Sequence, residues 1–493
     1  MKLAPLLVVA LVPMLAAAAP APAAGPKPKT NILVIMVDDL DVSVWETSLA
    51  LGYLPRIRSD LIDKGTTFRN AFVSESLCCP SRVTYLTGQY AHNHGVIRNS
   101  GKHGGFHAFA HDESTIGVWL REAGYRTGLV GKYLNGYADT AYVAPGWDTW
   151  NAVVGHLEFD YDMSVNGALR HYGHDDGNYE VDVLAGLAVQ FVETADSRPF
   201  FLTVTPVVPH YEDVENDEYD AGTTVRPAPR YADTPALPAI PPEALVSYNE
   251  ADMSDKPLWM HTIKFQDVEV QRAGYNSKIA ALRAVDDLVG DLVDALARRG
   301  KLATTQIVFT SDNGFQYGTH RRGDKIDFYE ESARIPAIVR DPGQDKPRIS
   351  DEWITNVDWA ATIVDIAGAL PDRVLDGRSL LDLSRGRPGR RTLLTEYAYD
   401  PVGFHPAFAA VRSKDPSLVG PLPWPDTIVY AETYDSNGAL TDRELYDIDL
   451  DPQQLASAHA STAPFRIGQM AALAARLAAL KRCAGDECRR LED

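Results

Sequence analysis

Asn31 to Asp41 reads NILVIMVDDLD, an unbroken apolar run from Ile32 to Val37 closed by the adjacent carboxylates Asp38 and Asp39. A strand with one wet face alternates apolar and polar residues. A continuous run instead predicts a strand covered on both faces, the habit of parallel sheets in α/β proteins. Three further stretches share the pattern: YRTGLVGKY runs into Lys132, PFFLTVTPVVPH runs toward His210, and TTQIVFTSDNG runs into Asp312 and Asn313. Helical periodicity lies between them, from Ser114, Val181 and Ser277. Strand–helix alternation predicts an α/β fold with a large, doubly wound, mostly parallel sheet flanked by helices. Such sheets bind ligands beyond the carboxyl ends of their strands, where the polar residues just named fall.

The 493 residues are 45% hydrophobic and 23% charged, as expected of a folded globular chain, and carry a formal net charge of −20. Such a surface repels polyanions, so nucleic acid is not an expected partner and an anionic substrate needs a local positive pocket. Residues 1–23 read as a signal peptide: Lys2, an apolar core from Leu3 to Met14, and a cleavage motif at Ala21–Ala23. That core is too short to span a bilayer. The expectation is a secreted or periplasmic protein with no stable membrane anchor. A catalytic domain is expected over 30–385. A smaller C-terminal α+β domain is expected over 386–493, where short antiparallel-strand patterns precede a closing helix. The proline-rich stretch from Arg226 to Leu245 reads as a surface loop, either a rim of the site or a connector.

The four cysteines form two pairs. Cys483 and Cys488 flank a glycine-containing turn and predict a disulfide in an exported chain. Cys78 and Cys79 are adjacent, and neighbouring Cα atoms lie about 3.8 Å apart, too close for an ordinary disulfide. They open LCCPSRVTYLTG, Leu77 to Gly88, in which Pro80 suits the first turn of a helix and Gly88 its end. Cys78 would precede the helix N-terminus, with Arg82 one turn on: a reactive, anion-binding cysteine, or a buried thiol beside a surface ion pair.

The stretch resembles the signature of the type I sulfatases, C-x-P-S-R-x-x-x-L-T-G, at Cys78, Pro80, Ser81, Arg82, Leu86, Thr87 and Gly88. VDDLD, GLVGKYLNGY, PVVPH, SDNG and ELYDIDLDP follow the family's order. The paired cysteines, QYAHNHGV from Gln89 and the late cysteine turn look most like N-acetylglucosamine-6-sulfatases, with bacterial arylsulfatases similar. The resemblance implies oxidation of Cys78 to Cα-formylglycine by a formylglycine-generating enzyme. It also implies one Ca²⁺, rather than Mg²⁺, on Asp38, Asp39, Asp312, Asn313 and modified Cys78. All-oxygen donors suit such hard cations. Arg82, Lys132, His210 and Lys325 match sulfate-binding and leaving-group positions, and Asp312 is also a candidate for taking the attacking hydroxyl's proton. One departure stands out. Many sulfatases carry a histidine two residues after the first lysine; here that residue is Leu134, followed by Asn135. Asn135, His92, His94 and His320 are candidate substrate contacts, each equally readable as packed. The expected reaction is hydrolysis of sulfate monoesters in a small sulfated substrate. Phosphonate or phosphodiester hydrolysis, and noncatalytic sugar binding, are the alternatives.

Overall fold

The computed structural model describes residues 29–212, 224–384, 389–398, 405–420 and 427–493. The predicted signal peptide and the predicted domain boundary near residue 385 lie outside them. The first ten strands are β1 (Asn31–Val37), β2 (Thr66–Phe72), β3 (Arg126–Lys132), β4 (Thr149–Val154), β5 (Tyr161–Val165), β6 (Ala168–Tyr172), β7 (Phe200–Thr205), β8 (Thr305–Ser311), β9 (Ala337–Arg340) and β10 (Arg348–Thr355). They form one sheet in the order β10-β2-β9-β8-β1-β7-β3-β4-β5-β6. The central strands β8, β1, β7, β3 and β4 are parallel. Antiparallel pairing enters through β9 on one side and the β5–β6 hairpin on the other.

The reading of β1 as doubly covered holds residue by residue. Leu33, Ile35 and Val37 pack into one apolar layer with Leu184 and Ala188 of the Glu180–Glu193 helix and with Ile279 and Leu282 of the Val268–Arg298 helix. Ile32, Val34 and Met36 pack into the opposite layer with Val83 and Leu86 of the Cys78–Thr87 helix and Ile363 of the Asp358–Ala367 helix. All six β1 side chains are at most 3% exposed. Each such aliphatic contributes about 1.5–3 kcal/mol by leaving water. The sheet is thus a rigid platform, and its parallel centre delivers Asp38, Lys132 and Asp312 to one edge.

A second sheet contains β11 (Thr392–Tyr397), β12 (Ala407–Ser413), β13 (Ile428–Tyr434) and β14 (Leu440–Asp447), all antiparallel in chain order. Leu473, Leu477 and Leu480 of the Pro464–Leu480 helix pack against its Val411, Ile428, Tyr430 and Leu445. Cys483 and Cys488 form the predicted disulfide, and Cys78 and Cys79 are free and buried. The Arg226–Leu245 stretch straps the outer helices: Arg230 pairs with Asp182 and Asp287, and Glu243 with Arg272. Among the described residues no helix is long and apolar enough to cross a membrane.

Candidate active site

The sequence pattern predicts Cys78 just before the helix; the helix instead runs Cys78–Thr87, capped by Leu77, and ends as expected on Gly88, whose φ of 68° is the left-handed geometry glycine tolerates. Cys78 is therefore the first helical residue. Its sulfur lies 2.9 Å from Lys325 Nζ, 3.4 Å from Asp38 Oδ1 and 3.8 Å from Asp39 Oδ1. Arg82, one turn later and 1% exposed, donates Nε–H to Asp312 Oδ2 at 2.8 Å and Nη1–H to the Lys132 carbonyl at 3.0 Å. Its Nη2 lies 3.3 Å from Asp38 Oδ2, which also pairs with the Lys132 ammonium.

Asp38 and Asp39 point to different partners because the backbone turns between them. Asp39 has φ 60°, strained for a residue with a side chain at a cost of about 1–2 kcal/mol. Its Oδ1 accepts from Asn313 Nδ2 at 2.6 Å and pairs with Lys325, and its N–H donates to Asp312 Oδ1 at 3.1 Å. His210 Nε2 stands 3.6 Å from Asp39 Oδ2, while its Nδ1–H donates to the Tyr211 carbonyl at 2.6 Å. Lys132 is set by β3: at Gly131 a Cβ would meet Thr205 O of β7 at 2.2 Å, so only glycine permits the approach. The structure thus brings together Asp38, Asp39, Cys78, Arg82, Lys132, His210, Asp312, Asn313 and Lys325, all at most 4% exposed.

The electrostatics follow from burial and pairing. Burial would raise Asp38, but Lys132, Arg82, His210 and Lys325 hold it well below the usual carboxylate range. Asp39 falls to about 2, Lys325 and His210 outweighing burial. Asp312 rises to about 6 through burial and the neighbouring Asp38 charge, against Arg82. Burial drags His210 down to about 3 despite Asp39. Burial and the Asp38 charge push the Cys78 thiol up, so a thiolate is scarce at neutral pH.

The site also contains a cation that the sequence reading missed. Lys278, on the Val268–Arg298 helix and 1% exposed, donates to the Asp39 carbonyl at 3.1 Å while its ammonium sits 3.8 Å above the Phe315 ring. With Arg82, Lys132 and Lys325 it makes four buried cationic side chains, and its own charge partners include Asp41 as well as Asp39. His156 was missed as well. It stacks on His210 with ring centroids 4.8 Å apart, and its Nε2 lies 3.4 Å from Asn135 Nδ2.

Asn135 is therefore beside the cluster, whereas the other three candidate contacts sit in packing. His92 bonds Glu396 through Nδ1 at 2.7 Å and the Cys483 carbonyl through Nε2 at 3.0 Å. His94 bonds Thr84 Oγ1 at 3.1 Å and the Val96 N–H, and burial pulls it to about 3. His320 is 1% exposed, pairs with Glu250 at 2.7 Å and stacks on Tyr329.

The buried cluster fits a metal ion. Asp38, Asp39, Cys78 and His210 place ligand atoms within 4.8 Å of one another. Asp39 Oδ2 and Asn313 Oδ1, both buried oxygens, have no hydrogen-bond partner. A buried acceptor without a partner is costly, and a coordinated cation would satisfy both.

Comparison with known proteins agrees with this geometry. The sulfatase family profile matches residues 30–369. The chain is 32% identical to an arylsulfatase of Volvox carteri over 93% of this chain and 76% of that protein. It is 29% identical to the N-acetylglucosamine-6-sulfatase of Capra hircus over 94% of this chain and 85% of that one. A solved structure, BT4656 in complex with its substrate D-glucosamine-2-N,6-O-disulfate, shares the fold with a TM-score of 0.70 at 21% identity, over 91% of this chain and 97% of that one.

Proposed function

The chain belongs to the sulfatase family and is a sulfuric ester hydrolase, and from that premise we propose that it cleaves sulfate monoesters of the aryl or N-acetylglucosamine 6-sulfate type with a nucleophile made from Cys78. The observation that carries the reading is the placement of Cys78 Sγ at 2.9 Å from Lys325 and 3.4 Å from Asp38, at the focus of the strand ends. A thiol with its proton affinity pushed up is a poor nucleophile there. Conversion to Cα-formylglycine would supply, once hydrated, an oxygen nucleophile and a second hydroxyl for releasing sulfate.

Asp38, Asp39, Asp312 and Asn313 would hold the cation, Ca²⁺ by resemblance, which would supply positive charge beside the sulfate oxygens. Lys132, Lys325 and Arg82 bind and orient the sulfate group through charge-assisted hydrogen bonds. Asp312 accepts the proton of the attacking hydroxyl. His210 serves the leaving alcohol: with Nδ1–H given to the Tyr211 carbonyl, Nε2 is the nitrogen on the reacting side. Burial disfavours the imidazolium, and the charge of a bound sulfate opposes that penalty.

We place the protein in the secretory or periplasmic path, supported by the N-terminal pattern and the Cys483–Cys488 disulfide. There its partners are a small sulfated substrate and, during maturation, a formylglycine-generating enzyme. The test is mass spectrometry of the tryptic peptide Asn70–Arg82 combined with sulfate-release kinetics on matched aryl sulfate and aryl phosphonate esters. Formylglycine at Cys78 and faster sulfate cleavage are expected. An intact Cys78 thiol in fully active enzyme, or preference for the phosphonate, overturns the reading.

A further inference from the structure

The chain places no histidine two residues after Lys132; Leu134 is there, 3% exposed and packed in the apolar layer. The structure brings an imidazole from elsewhere. β4 runs parallel to β3 with Val153 in register with Lys132, so the residues after β4 emerge beside those after β3. His156, three residues past Val153, lies half-buried in the turn before β5. Its ring stacks on His210 at 4.8 Å between centroids with 18° between planes, and the Tyr211 ring lies 4.4 Å from the same imidazole. Its Nε2 is 3.4 Å from Asn135 Nδ2, and Asn135 Oδ1 is a buried acceptor without a partner. An arc of polar groups therefore runs from Asn135 through His156 and His210 to Asp39 Oδ2, 3.6 Å from His210 Nε2.

We infer that His156 is a positioning residue for His210, fixing the plane of that imidazole so that Nε2 stays directed at the leaving oxygen. The inference rests on the proposed reading of His210 as the group that serves the leaving alcohol. The physical need is specific. The hydrogen bond that His210 makes through Nδ1 goes to the carbonyl of its own neighbour, Tyr211, and a single such bond permits rotation about the N–H···O axis. A stacked ring removes that freedom, and Asn135 in turn fixes the stacked ring. Proton transfer depends steeply on this geometry.

The test uses enzyme whose formylglycine content is measured and equalised, with aryl sulfates spanning acidic to weakly acidic phenols. His156→Ala should lower kcat/KM about 30-fold for unsubstituted phenyl sulfate and by less than about 3-fold for 4-nitrophenyl sulfate, since only the poor leaving group needs a well-aimed proton. His156→Phe, which keeps a flat stacking ring, should recover most of the loss. His156→Gln, of similar volume but without the ring, should follow alanine, and it supplies the measurement should the alanine variant misfold. Equal loss on all esters, no loss, or no recovery by phenylalanine overturns the inference. His210→Ala run alongside separates the two levels. Leaving-group dependence in His210→Ala but not in His156→Ala rejects the role of His156 alone. Absence of that dependence in His210→Ala rejects the reading of His210, and the inference with it.

Discussion

Lys278 Nζ donates to the carbonyl oxygen of Asp39 at 3.1 Å across 239 positions of sequence. The bond holds the one backbone turn that lets two adjacent aspartates face different partners. Lys278→Met removes the donor from a carbonyl buried with it, at a cost of about 1–3 kcal/mol. The thermal midpoint and kcat should both fall, and Lys278→Arg should restore part of each. Calorimetry and sulfate release on cation-saturated protein measure this; unchanged values in Lys278→Met would refute it.

Cys78→Ala should abolish turnover, while Cys79→Ala should keep substantial activity. The two sulfurs are equally buried but differently placed. Cys78 faces Lys325 and Asp38, whereas Cys79 packs with the apolar layer containing Val83 and Leu86, and its N–H donates to Asn99 at 2.8 Å. Kinetics on both variants, with circular dichroism as the folding control, decide the matter.

Chelation verified by metal analysis should abolish activity, and Ca²⁺ should restore it better than Zn²⁺, because the proposed donors on Asp38, Asp39, Asp312 and Asn313 are oxygens. Asp39→Ala should lower cation affinity by at least about tenfold, as it removes a charged ligand. Calcium at a hundred times its Kd should stabilise the wild type by about 2.7 kcal/mol, and Asp39→Ala much less at the same concentration. Unchanged kcat after complete cation removal would exclude the site.

His92 offers a pH test away from the chemistry. Burial lowers its proton affinity, but Glu396 and the Cys483 carbonyl outweigh burial and raise it above the ordinary histidine value. A raised folded-state value means that its stabilisation is fully present below about pH 6.5 and is lost as pH rises through the folded value. His92→Gln should therefore destabilise more at pH 5.5 than at pH 9, with kcat little changed. Thermal midpoints across that range measure it, and a larger loss at pH 9 would contradict the sign.

Substrate size provides a fifth test. Arg321 and Arg322 lie within four residues of Lys325, where further positive charge for the site would be expected. Instead Arg321 donates to the carbonyls of Glu250, Ala251 and Ile263, and Arg322 pairs with Asp327. With a net charge of −20 on the chain as a whole and cationic side chains gathered at the site, a glucosamine 6-sulfate monosaccharide should be cleaved faster than internal sulfates of an end-blocked heparan chain. Faster release from the blocked chain at physiological salt would reverse the expectation.

The legible parts of the molecule were those written locally. β1 and its two aspartates, the Cys78–Gly88 helix and the SDNG turn each announce themselves within a dozen residues. β5 and β6 did not, because β6 is exposed along most of its length and has no apolar run. His156 was invisible because its place depends on the β3–β4 register. Lys278 had a signal that went unused: Tyr275, Lys278, Leu282, Val285 and Val289 fall on one helical stripe, and a lysine inside a core stripe requires a buried partner.

Cys78 has no exposed surface in the folded chain. If Cys78 is converted as proposed, a protein-sized catalyst needs an extended, accessible segment around it, so the conversion would have to finish before the strand ends close over it. The fraction of competent molecules would then be decided by a race, chain closure against oxidation, and the losing molecules could not be repaired afterwards without unfolding. Two preparations with identical sequence, fold and cation content would differ in specific activity by the outcome of that race, and slowing chain closure during synthesis would raise the yield of working enzyme.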